Sequence, residues 1–247
     1  MPAGLNRVPR FHVQGSLAPG AQFSLAPDAS HHATRVLRLR EGDAIVVFDG
    51  SGGEYAATIV HMQRGGLDLQ VGAFNPIERE SPLAVTLVQA ISAGDRMDLT
   101  IQKAVELGAS SIQPVLAERS VVRLKGERSD NRRDHWQRIA VAACEQCGRN
   151  RVPTVATAVE VTGYAAPADA LKLLLSPGAA TRLSSAGATS AKPIVIAAGP
   201  EAGFSPREEA MLVAAGFASV QLGPRVLRTE TAAPAALAAL NALYGDA

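Results

Sequence analysis

Cysteine and aromatic residues are scarce in this sequence: it has two cysteines, and aromatic residues make up 4% of its 247 positions. Because Cys144 and Cys147 lie close together in one segment, a disulfide between them could not join distant parts of the fold. A second cysteine pair that would complete a zinc site is missing, so we expect no metal. Redox CxxC pairs open a helix after a strand, whereas this pair ends a predicted helix. We therefore interpret both cysteines as packing residues.

The sequence also lacks a long apolar run and a large net charge. It has no stretch of about eighteen uncharged apolar residues and begins without a signal-peptide core, which predicts a cytoplasmic protein with no membrane partner. The net charge of +1 argues against a protein that coats nucleic acid by bulk attraction. Nine basic and four acidic residues nevertheless fall between Arg119 and Arg151. A phosphate-binding patch and a solvated surface both remain open for this segment.

The first 75 residues predict a compact, mostly β unit with one helix. Asp28 is the expected N-cap of that helix. Residues 76–82 are charged and bounded by prolines, and they predict a linker. Alternating or β-branched apolar residues predict four strands, at 11–13, 44–48, 54–60 and 67–74.

After the linker, residues 83–247 alternate strands with helices, which is typical of an α/β domain with a parallel sheet. Glycines after the helices favour left-handed C-terminal caps at Gly108, Gly148, Gly216 and Gly245. Residues 176–191 are rich in small polar residues and predict a mobile loop. The predicted strands are 85–90, 111–115, 171–175, 194–198 and 219–222, and the predicted helices are 97–107, 135–147, 206–215 and 232–244.

Two Gly-Pro segments follow predicted strands and carry the most chemical information. Residues 194–206 form an apolar strand that runs into Gly-Pro-Glu-Ala-Gly, after which Ser205 caps a helix with Pro206 at its first position. Residues 220–231 repeat the arrangement through Gly-Pro-Arg. In open α/β sheets, ligands bind outside the carboxyl ends of the strands, where glycine lets the backbone approach them. The two segments therefore predict opposing walls of one pocket, although an ordinary strand–turn–helix connection stays open for each.

These segments, Gly199-Pro200-Glu201-Ala202-Gly203 and Leu222-Gly223-Pro224-Arg225-Val226-Leu227-Arg228-Thr229-Glu230-Thr231-Ala232, resemble the cofactor loops of the SPOUT superfamily of knotted methyltransferases. Within it, the whole chain is similar to the RsmE-like family, which methylates N3 of a uridine in small-subunit (16S) ribosomal RNA. The likeness extends over Arg10-Phe11, His31-His32, Asp49-Gly50, Gly94-Asp95-Arg96-Met97-Asp98, Glu118-Arg119-Ser120 and Glu145-Gln146.

The resemblance implies a PUA-like RNA-binding β-barrel at 1–75 and, at 83–247, a SPOUT α/β domain with a deep trefoil knot. It implies S-adenosyl-L-methionine as cofactor and a homodimer. Small-subunit ribosomal RNA is the expected partner, in an assembled 30S particle or as naked RNA, which makes the chain a factor in rRNA processing and ribosome biogenesis. The cofactor-binding residues it implies are Leu175, Gly199, Pro200, Glu201, Gly203, Leu222, Gly223, Leu227, Arg228 and Thr231.

Arg228 and Glu230 are the predicted catalytic residues. Methylation at N3 of uracil removes a proton, so an arginine could stabilise the developing negative charge and a carboxylate could accept the proton. An Arg–Glu pair that only fixes the last helix is the alternative, and another base or a ribose 2′-OH stays possible as acceptor. The predicted RNA-binding residues are Arg7, Arg10, Arg119, Arg123 and Arg149.

Two positions depart from the family pattern. Ala202 stands where glycine is usual, and a positive φ there would strain the loop. Ala93 stands where lysine is usual, which removes a possible RNA or structural contact. A non-catalytic RNA-binding protein with its lesion at Ala202 is therefore a competing hypothesis. A nucleotide-dependent oxidoreductase or phosphotransferase is disfavoured, because neither G-x-G-x-x-G nor G-x-x-x-x-G-K-[ST] occurs in the sequence.

Overall fold

The computed structural model describes residues 8–63, 66–122, 126–189 and 191–247. The chain forms two compact units, and the residues of each unit contact mainly one another. The first unit comprises the described residues up to Glu80 together with Cys144–Val152. The second unit comprises Ser81–Ala143 and Pro153–Ala247. No helix within the described residues is long and apolar enough to cross a membrane.

The first unit contains one mostly antiparallel sheet in the order β1-β3-β4-β5-β2, in which only the β1–β3 pair is parallel. Alternate residues of the long strands point into a core that includes Ile45, Ile59 and Leu69. The four predicted strands are confirmed, whereas β2 was not predicted because its three residues are too short for a periodic pattern. The strands are β1 (Arg10–His12), β2 (Gln22–Ser24), β3 (Ala44–Phe48), β4 (Glu54–Gln63) and β5 (Gly66–Asn75).

The helix of the first unit differs from its prediction at both ends. Helix α1 is Pro27–His31 and its N-cap is Ala26, so the expected cap at Asp28 is wrong; Pro27 takes the first helical position and Asp28 lies in the first turn. A π-helical turn, His32–Val36, continues α1. Arg38 follows with φ +56°, and no other non-glycine residue among those described has a positive φ.

The second unit contains a parallel sheet in the order β11-β13-β10-β12-β6-β7-β8, with β9 also paired to β7. All five residues of the central strand β12 are buried, as expected of a strand covered on both faces. The five predicted strands are confirmed with small shifts in their ends. The strands are β6 (Val85–Ala90), β7 (Ser111–Leu116), β8 (Thr154–Val155), β9 (Val159–Glu160), β10 (Leu171–Leu175), β11 (Thr181–Arg182), β12 (Ile194–Ala198) and β13 (Ala218–Gln221).

Four longer helices accompany this sheet, and all four were predicted. They are α2 (Arg96–Glu106), α3 (Glu127–Cys147), α4 (Pro206–Ala214) and α5 (Thr229–Tyr244). Helix α3 begins well before the predicted 135, because charged residues in its first turns hide the apolar period. Ser205 caps α4 through a reciprocal capping box with Glu208, as predicted.

Glycine after the helices has the expected left-handed conformation at three of four positions. The φ angles are +82° at Gly108, +94° at Gly148 and +91° at Gly216. Gly245 has φ −110°, so the fourth cap prediction is wrong. The prediction of a loop at 176–191 is also partly wrong, because the segment contributes β11 to the sheet and contains a 3₁₀ turn, Leu183–Ser185. In that turn, the Ser184 carbonyl accepts a hydrogen bond from the Tyr244 hydroxyl.

Candidate functional site

Three loops at the carboxyl ends of neighbouring strands enclose a cavity in the second unit. They follow β10, β12 and β13, and because β10 lies between the other two strands, its loop at Ser176 and Pro177 completes the wall. The predicted pocket between two Gly-Pro loops thus has a third wall. The cavity encloses about 740 Å³ of space free of protein atoms, counting the solvent at its mouth.

The first wall is the turn Pro200–Gly203, closed by a hydrogen bond from the Gly203 N–H to the Pro200 carbonyl of 2.9 Å. Gly203 has φ +71°, which favours glycine. At Gly199 the turn folds back so tightly that an added Cβ would stand 3.0 Å from the Phe204 nitrogen. Ala202 is not among the residues with positive φ. The departure from glycine at this position therefore causes no backbone strain.

Thr229, at the start of α5, joins the first wall to the sheet. Its hydroxyl donates to the Gly199 carbonyl at 2.8 Å, and the Gln89 amide donates to it at 3.2 Å. The Ser92 hydroxyl lies 3.3 Å away. Thr229 is 7% exposed and Gln89 is fully buried, and Thr229 lines the cavity. The threonine thereby fixes the spacing between two walls.

Glu201 places a carboxylate at the cavity. Its Oε1 accepts hydrogen bonds from the Ala93 N–H at 2.9 Å and from Arg96 at 2.8 Å. Burial disfavours ionisation of Glu201, but these hydrogen bonds and that of its own backbone outweigh burial and hold its pKa below the ordinary 4.5. Ala93 thus contributes its backbone N–H to the site.

The second wall, residues 222–228, presents its side chains mostly to solvent. Gly223 has φ +121°, and Val226 is 79% exposed. The Arg228 side chain is 81% exposed, whereas that of Glu230 is 15% exposed, and their charged atoms stand 4.0 Å apart. Arg228 is the N-cap residue of α5 without a side-chain cap bond. Its guanidinium is therefore accessible to a ligand.

Most of the predicted cofactor residues meet in this cavity. Leu175, Gly199, Pro200, Glu201, Gly203, Leu222, Gly223 and Leu227 line it. Arg228 and Thr231 are not among its lining residues, because α5 begins at Thr229 and turns Thr231 outward, where it is exposed. Thr229 takes the inward position instead.

Several residues of the site were missed by the sequence reasoning. Thr229 and Phe204 lie inside the quoted motifs, so the motifs could have suggested them, but only the helix phase shows that Thr229 faces inward. Gln89 was missed because a polar residue inside an apolar strand has no periodic signal. Arg96 lies in a quoted family segment without a role assigned from the sequence.

Of the five predicted RNA-binding arginines, the structure describes Arg10, Arg119 and Arg149. Arg7 and Arg123 lie outside the described residues. Arg119, in the second unit, is exposed, and its guanidinium donates to the carbonyls of Ala202 and Phe204 at 3.2 and 3.3 Å. It therefore braces the first wall of the cavity while part of it remains accessible to solvent.

The side chains of Arg10 and Arg149 are buried in the first unit, where each guanidinium group pairs with a carboxylate. Arg10 pairs with Glu54, donates to Asn150 at 2.5 Å and lies over the Phe48 ring at 4.9 Å. Arg149 is 4% exposed and binds the Glu80 carboxylate through its Nε at 3.0 and 3.1 Å and through a further nitrogen. Because both guanidinium groups are buried and paired, this geometry gives them a structural role instead of the predicted contact with RNA.

Both cysteines belong to the first unit, and Cys144 is fully buried. Burial raises the pKa of the Cys144 thiol to about 12. A thiol that stays protonated at neutral pH is a poor nucleophile, which agrees with the packing role.

Another basic surface of the first unit was not predicted, and we call residues 35–40 the basic segment. Arg35, Arg38 and Arg40 are exposed and have no described ion-pair partner. Between them Val36 and Leu37 are 62% and 40% exposed. The segment begins in the π-helical turn and contains the strained Arg38, features that cluster at functional sites.

Two family profiles match the chain. The profile of an RNA methyltransferase domain matches residues 79–241, and that of an RNA methyltransferase PUA domain matches residues 25–72. The chain belongs to the RNA methyltransferase family. Its α/β architecture, with an N-terminal PUA domain and a C-terminal methyltransferase domain, agrees with both profiles.

Solved structures of this family extend the likeness to the whole chain. A ribosomal RNA small subunit methyltransferase E from Neisseria gonorrhoeae, bound to S-adenosyl methionine, is 39% identical with a TM-score of 0.90, over 97% of this chain and 99% of that one. A putative methyltransferase from Legionella pneumophila in complex with the same cofactor is 35% identical with a TM-score of 0.90, over 98% and 100% of the two chains.

A curated relative supports the same assignment. The ribosomal RNA small subunit methyltransferase E of Buchnera aphidicola is 31% identical over 97% of this chain and 95% of its own length. The likeness therefore includes the cavity loops and is not limited to the fold.

Proposed function

We propose that this RNA methyltransferase uses S-adenosyl-L-methionine to methylate N3 of a specific uridine in small-subunit (16S) ribosomal RNA. The observation that carries the proposal is the cavity at the Gly-Pro loops, because it combines apolar walls with carboxylates at one end of a parallel sheet. Relatives that match nearly the whole chain are named for ribosomal RNA methylation, and two similar solved structures hold this cofactor.

The residues of the cavity fit the cofactor chemically. Leu175, Val220 and Leu227 supply apolar wall for an adenine ring. Glu201 and Glu209 face the cavity with Arg225 as the one basic lining residue. S-adenosylmethionine carries a sulfonium and an ammonium against one carboxylate, so its net positive charge suits this lining. When bound, it supplies the methyl group that the acceptor base receives.

The transfer also requires groups that act on the acceptor. In our proposal Arg228, which is exposed beside the cavity, donates to the carbonyl oxygens of uracil as negative charge develops on the ring. Glu230 lies 4.0 Å from Arg228 and accepts the N3 proton directly or through water. Arg228 and Thr231 stay in the proposed cofactor-binding set, although neither lines the cavity.

For RNA docking, we propose a PUA-like barrel at residues 1–75, a linker at 76–82 and the SPOUT domain at 83–247 with its C-terminal trefoil knot. The basic segment supports an RNA-binding role for the first unit, since the side chains of its three arginines have no described ion-pair partner. Arg7, Arg119 and Arg123 remain proposed phosphate contacts. We further propose a homodimer that works in the cytoplasm on an assembled 30S particle.

The test of the function is nucleoside analysis of ribosomal RNA by mass spectrometry. RNA from cells that lack this protein should lose one N3-methyluridine from the small subunit, and expression of the intact chain should restore it. Unchanged N3-methyluridine in the deleted cells, with loss of a different methylated nucleoside, would replace the proposed acceptor.

The test of RNA docking is the combined substitution Arg35→Ala, Arg38→Ala and Arg40→Ala. Because each phosphate contact contributes about one unit to the slope of log K against log[salt], the variant should bind RNA more weakly with a slope smaller by up to about three. Affinity for S-adenosylmethionine should not change. Arg207→Ala, an exposed arginine on α4, is the control. An unchanged RNA affinity and salt slope would show that the basic segment does not bind RNA.

A further inference from the structure

Four charged side chains of alternating sign connect the loops around the cavity. Arg96 Nη1 lies 2.8 Å from Glu201, and Arg96 Nε lies 4.0 Å from Glu230. Glu230 lies 4.0 Å from Arg228 on its other side. Arg96 is therefore the residue that links the carboxylate on the first wall to the carboxylate at the start of α5.

The backbone of Arg96 is firmly held. Arg96 is the first residue of α2, and its carbonyl accepts a hydrogen bond from Thr100 at 2.8 Å. The adjacent Met97 is 1% exposed. Two residues after Arg96, Asp98 accepts from Trp136 at 3.2 Å and lies 2.7 Å from His135, both on α3. Arg96 thus extends from a fixed helix end to one carboxylate on the first wall of the cavity and to another at the start of α5.

The two carboxylates depend on Arg96 to different degrees. Glu201 keeps a hydrogen bond from the Ala93 N–H at 2.9 Å whether or not Arg96 is present. Glu230 is 15% exposed, and its described cationic neighbours are Arg96 and Arg228. The Arg228 side chain is 81% exposed and that of Arg96 is 45% exposed. Arg96 is therefore the better fixed of the two cations beside Glu230.

We infer that Arg96 is a positioning residue for methyl transfer, which holds the Glu230 carboxylate towards the acceptor while anchored on Glu201. The inference rests on the proposed function, in which Glu230 accepts the proton. Arg96 needs no contact with RNA or cofactor in this role. The planar guanidinium can engage two carboxylates at a set spacing, which a lysine ammonium cannot reproduce.

Single-turnover methylation at saturating cofactor and RNA tests this role. Arg96→Ala should slow the transfer by up to about 10²-fold, the scale for misplacing a reacting group by about 1 Å. Its affinity for S-adenosylmethionine should stay within a few-fold, because Ala93 still holds Glu201. Arg96→Lys should recover part of the rate. Arg207→Ala, an exposed arginine paired with Glu118, should behave like the wild type.

A double-mutant cycle separates positioning from other roles. Arg96→Ala should slow the Glu230→Gln variant little further, since the carboxylate that it positions is already gone. Additive losses would overturn the inference. So would an Arg96→Ala variant with a normal rate at saturating RNA and weakened RNA binding only, which would identify a phosphate contact. If Arg96→Ala does not fold, Arg96→Gln takes its place. The transfer rates should then decrease in the order wild type, Arg96→Lys, Arg96→Gln.

The same experiment distinguishes failure of the inference from failure of the proposed function. If Glu230→Gln transfers methyl groups at the wild-type rate, the proposed proton acceptor is wrong, whatever Arg96 does. If Glu230→Gln is slow and Arg96→Ala is as fast as the wild type, the proposed chemistry stands and the positioning role of Arg96 is overturned.

Discussion

Replacement of Thr229 by valine tests whether its hydroxyl holds the walls of the cavity together. The methyl group preserves shape, but the hydrogen bond to the Gly199 carbonyl at 2.8 Å is lost. Gln89 and Ser92 lose the Thr229 hydroxyl as a partner but still donate to the Ala90 carbonyl, at 3.0 and 3.5 Å. The cost of the substitution is therefore less than the sum of the three hydrogen bonds of Thr229. Loss of one strong hydrogen bond that leaves a buried carbonyl under-satisfied lowers the free energy of unfolding by about 1–3 kcal/mol. For a chain of this size, the melting temperature should fall by roughly 2–12 °C.

Thermal melting followed by circular dichroism, with and without S-adenosylmethionine, is the measurement. Thr229→Ser keeps the hydroxyl and should retain most of the stability, and Thr162→Val, at an exposed position, should have no effect. Weaker cofactor binding should accompany the lower melting temperature of Thr229→Val, because Gly199 and Thr229 both line the cavity. If Thr229→Val melts and binds the cofactor like the wild type, the hydroxyl does not organise the walls.

Three further predictions follow from the site and the first unit. Arg228→Ala should leave cofactor affinity within a few-fold but slow single-turnover transfer by roughly 10²–10³, the loss typical of one preorganised donor; an unchanged rate with weaker RNA binding would make Arg228 a phosphate contact. Light scattering should report twice the 25.6 kDa chain mass, and a fully active monomer would refute the homodimer. Burial opposes ionisation of Glu54, but hydrogen bonds from Arg79 and Arg10 hold its pKa below 4.5. Its ionisation therefore stabilises the fold at neutral pH, and the stabilisation is lost as the pH falls below that value. Glu54→Gln should accordingly be less stable than the wild type at neutral pH, with a difference that shrinks on acidification, and a difference independent of pH would refute the role of this charge.

The sequence predicted the parallel sheet well because its strands carry strong signals. Continuous apolar runs such as 194–198 are typical of strands that are buried on both faces, and the Ser205-Pro206 pair identifies the start of α4 directly. Short elements such as β2 and β11 were missed, since two or three residues show no period and form only through their partners. Asp28 resembled an N-cap, but Pro27, whose φ is fixed, already favours the first helical position.

The site was predicted in outline and not in its polar contacts. The glycine loops identified eight lining residues, since tight turns need particular residue types. The sequence could not show that Arg10 and Arg149 are buried, because their partners Glu54 and Glu80 are distant along the chain. Nor could it show that Arg96 reaches Glu201, because a contact between loops that follow β6 and β12 depends on the order of strands in the sheet.

The first unit is discontinuous along the chain, and this affects how it can fold during synthesis. Cys144–Val152 belong to it, and they provide Asn150 to Arg10, Arg149 to Glu80, and Glu145 to the His12 N–H at 2.8 Å. A ribosome that has released Glu80 must add 72 more residues before Val152 emerges, counted as 152 minus 80. At the usual 5–20 residues per second this takes roughly 4–14 s. During that interval Arg10 and Glu80 lack these partners, so the first unit completes its polar contacts only after much of the second unit has been synthesised.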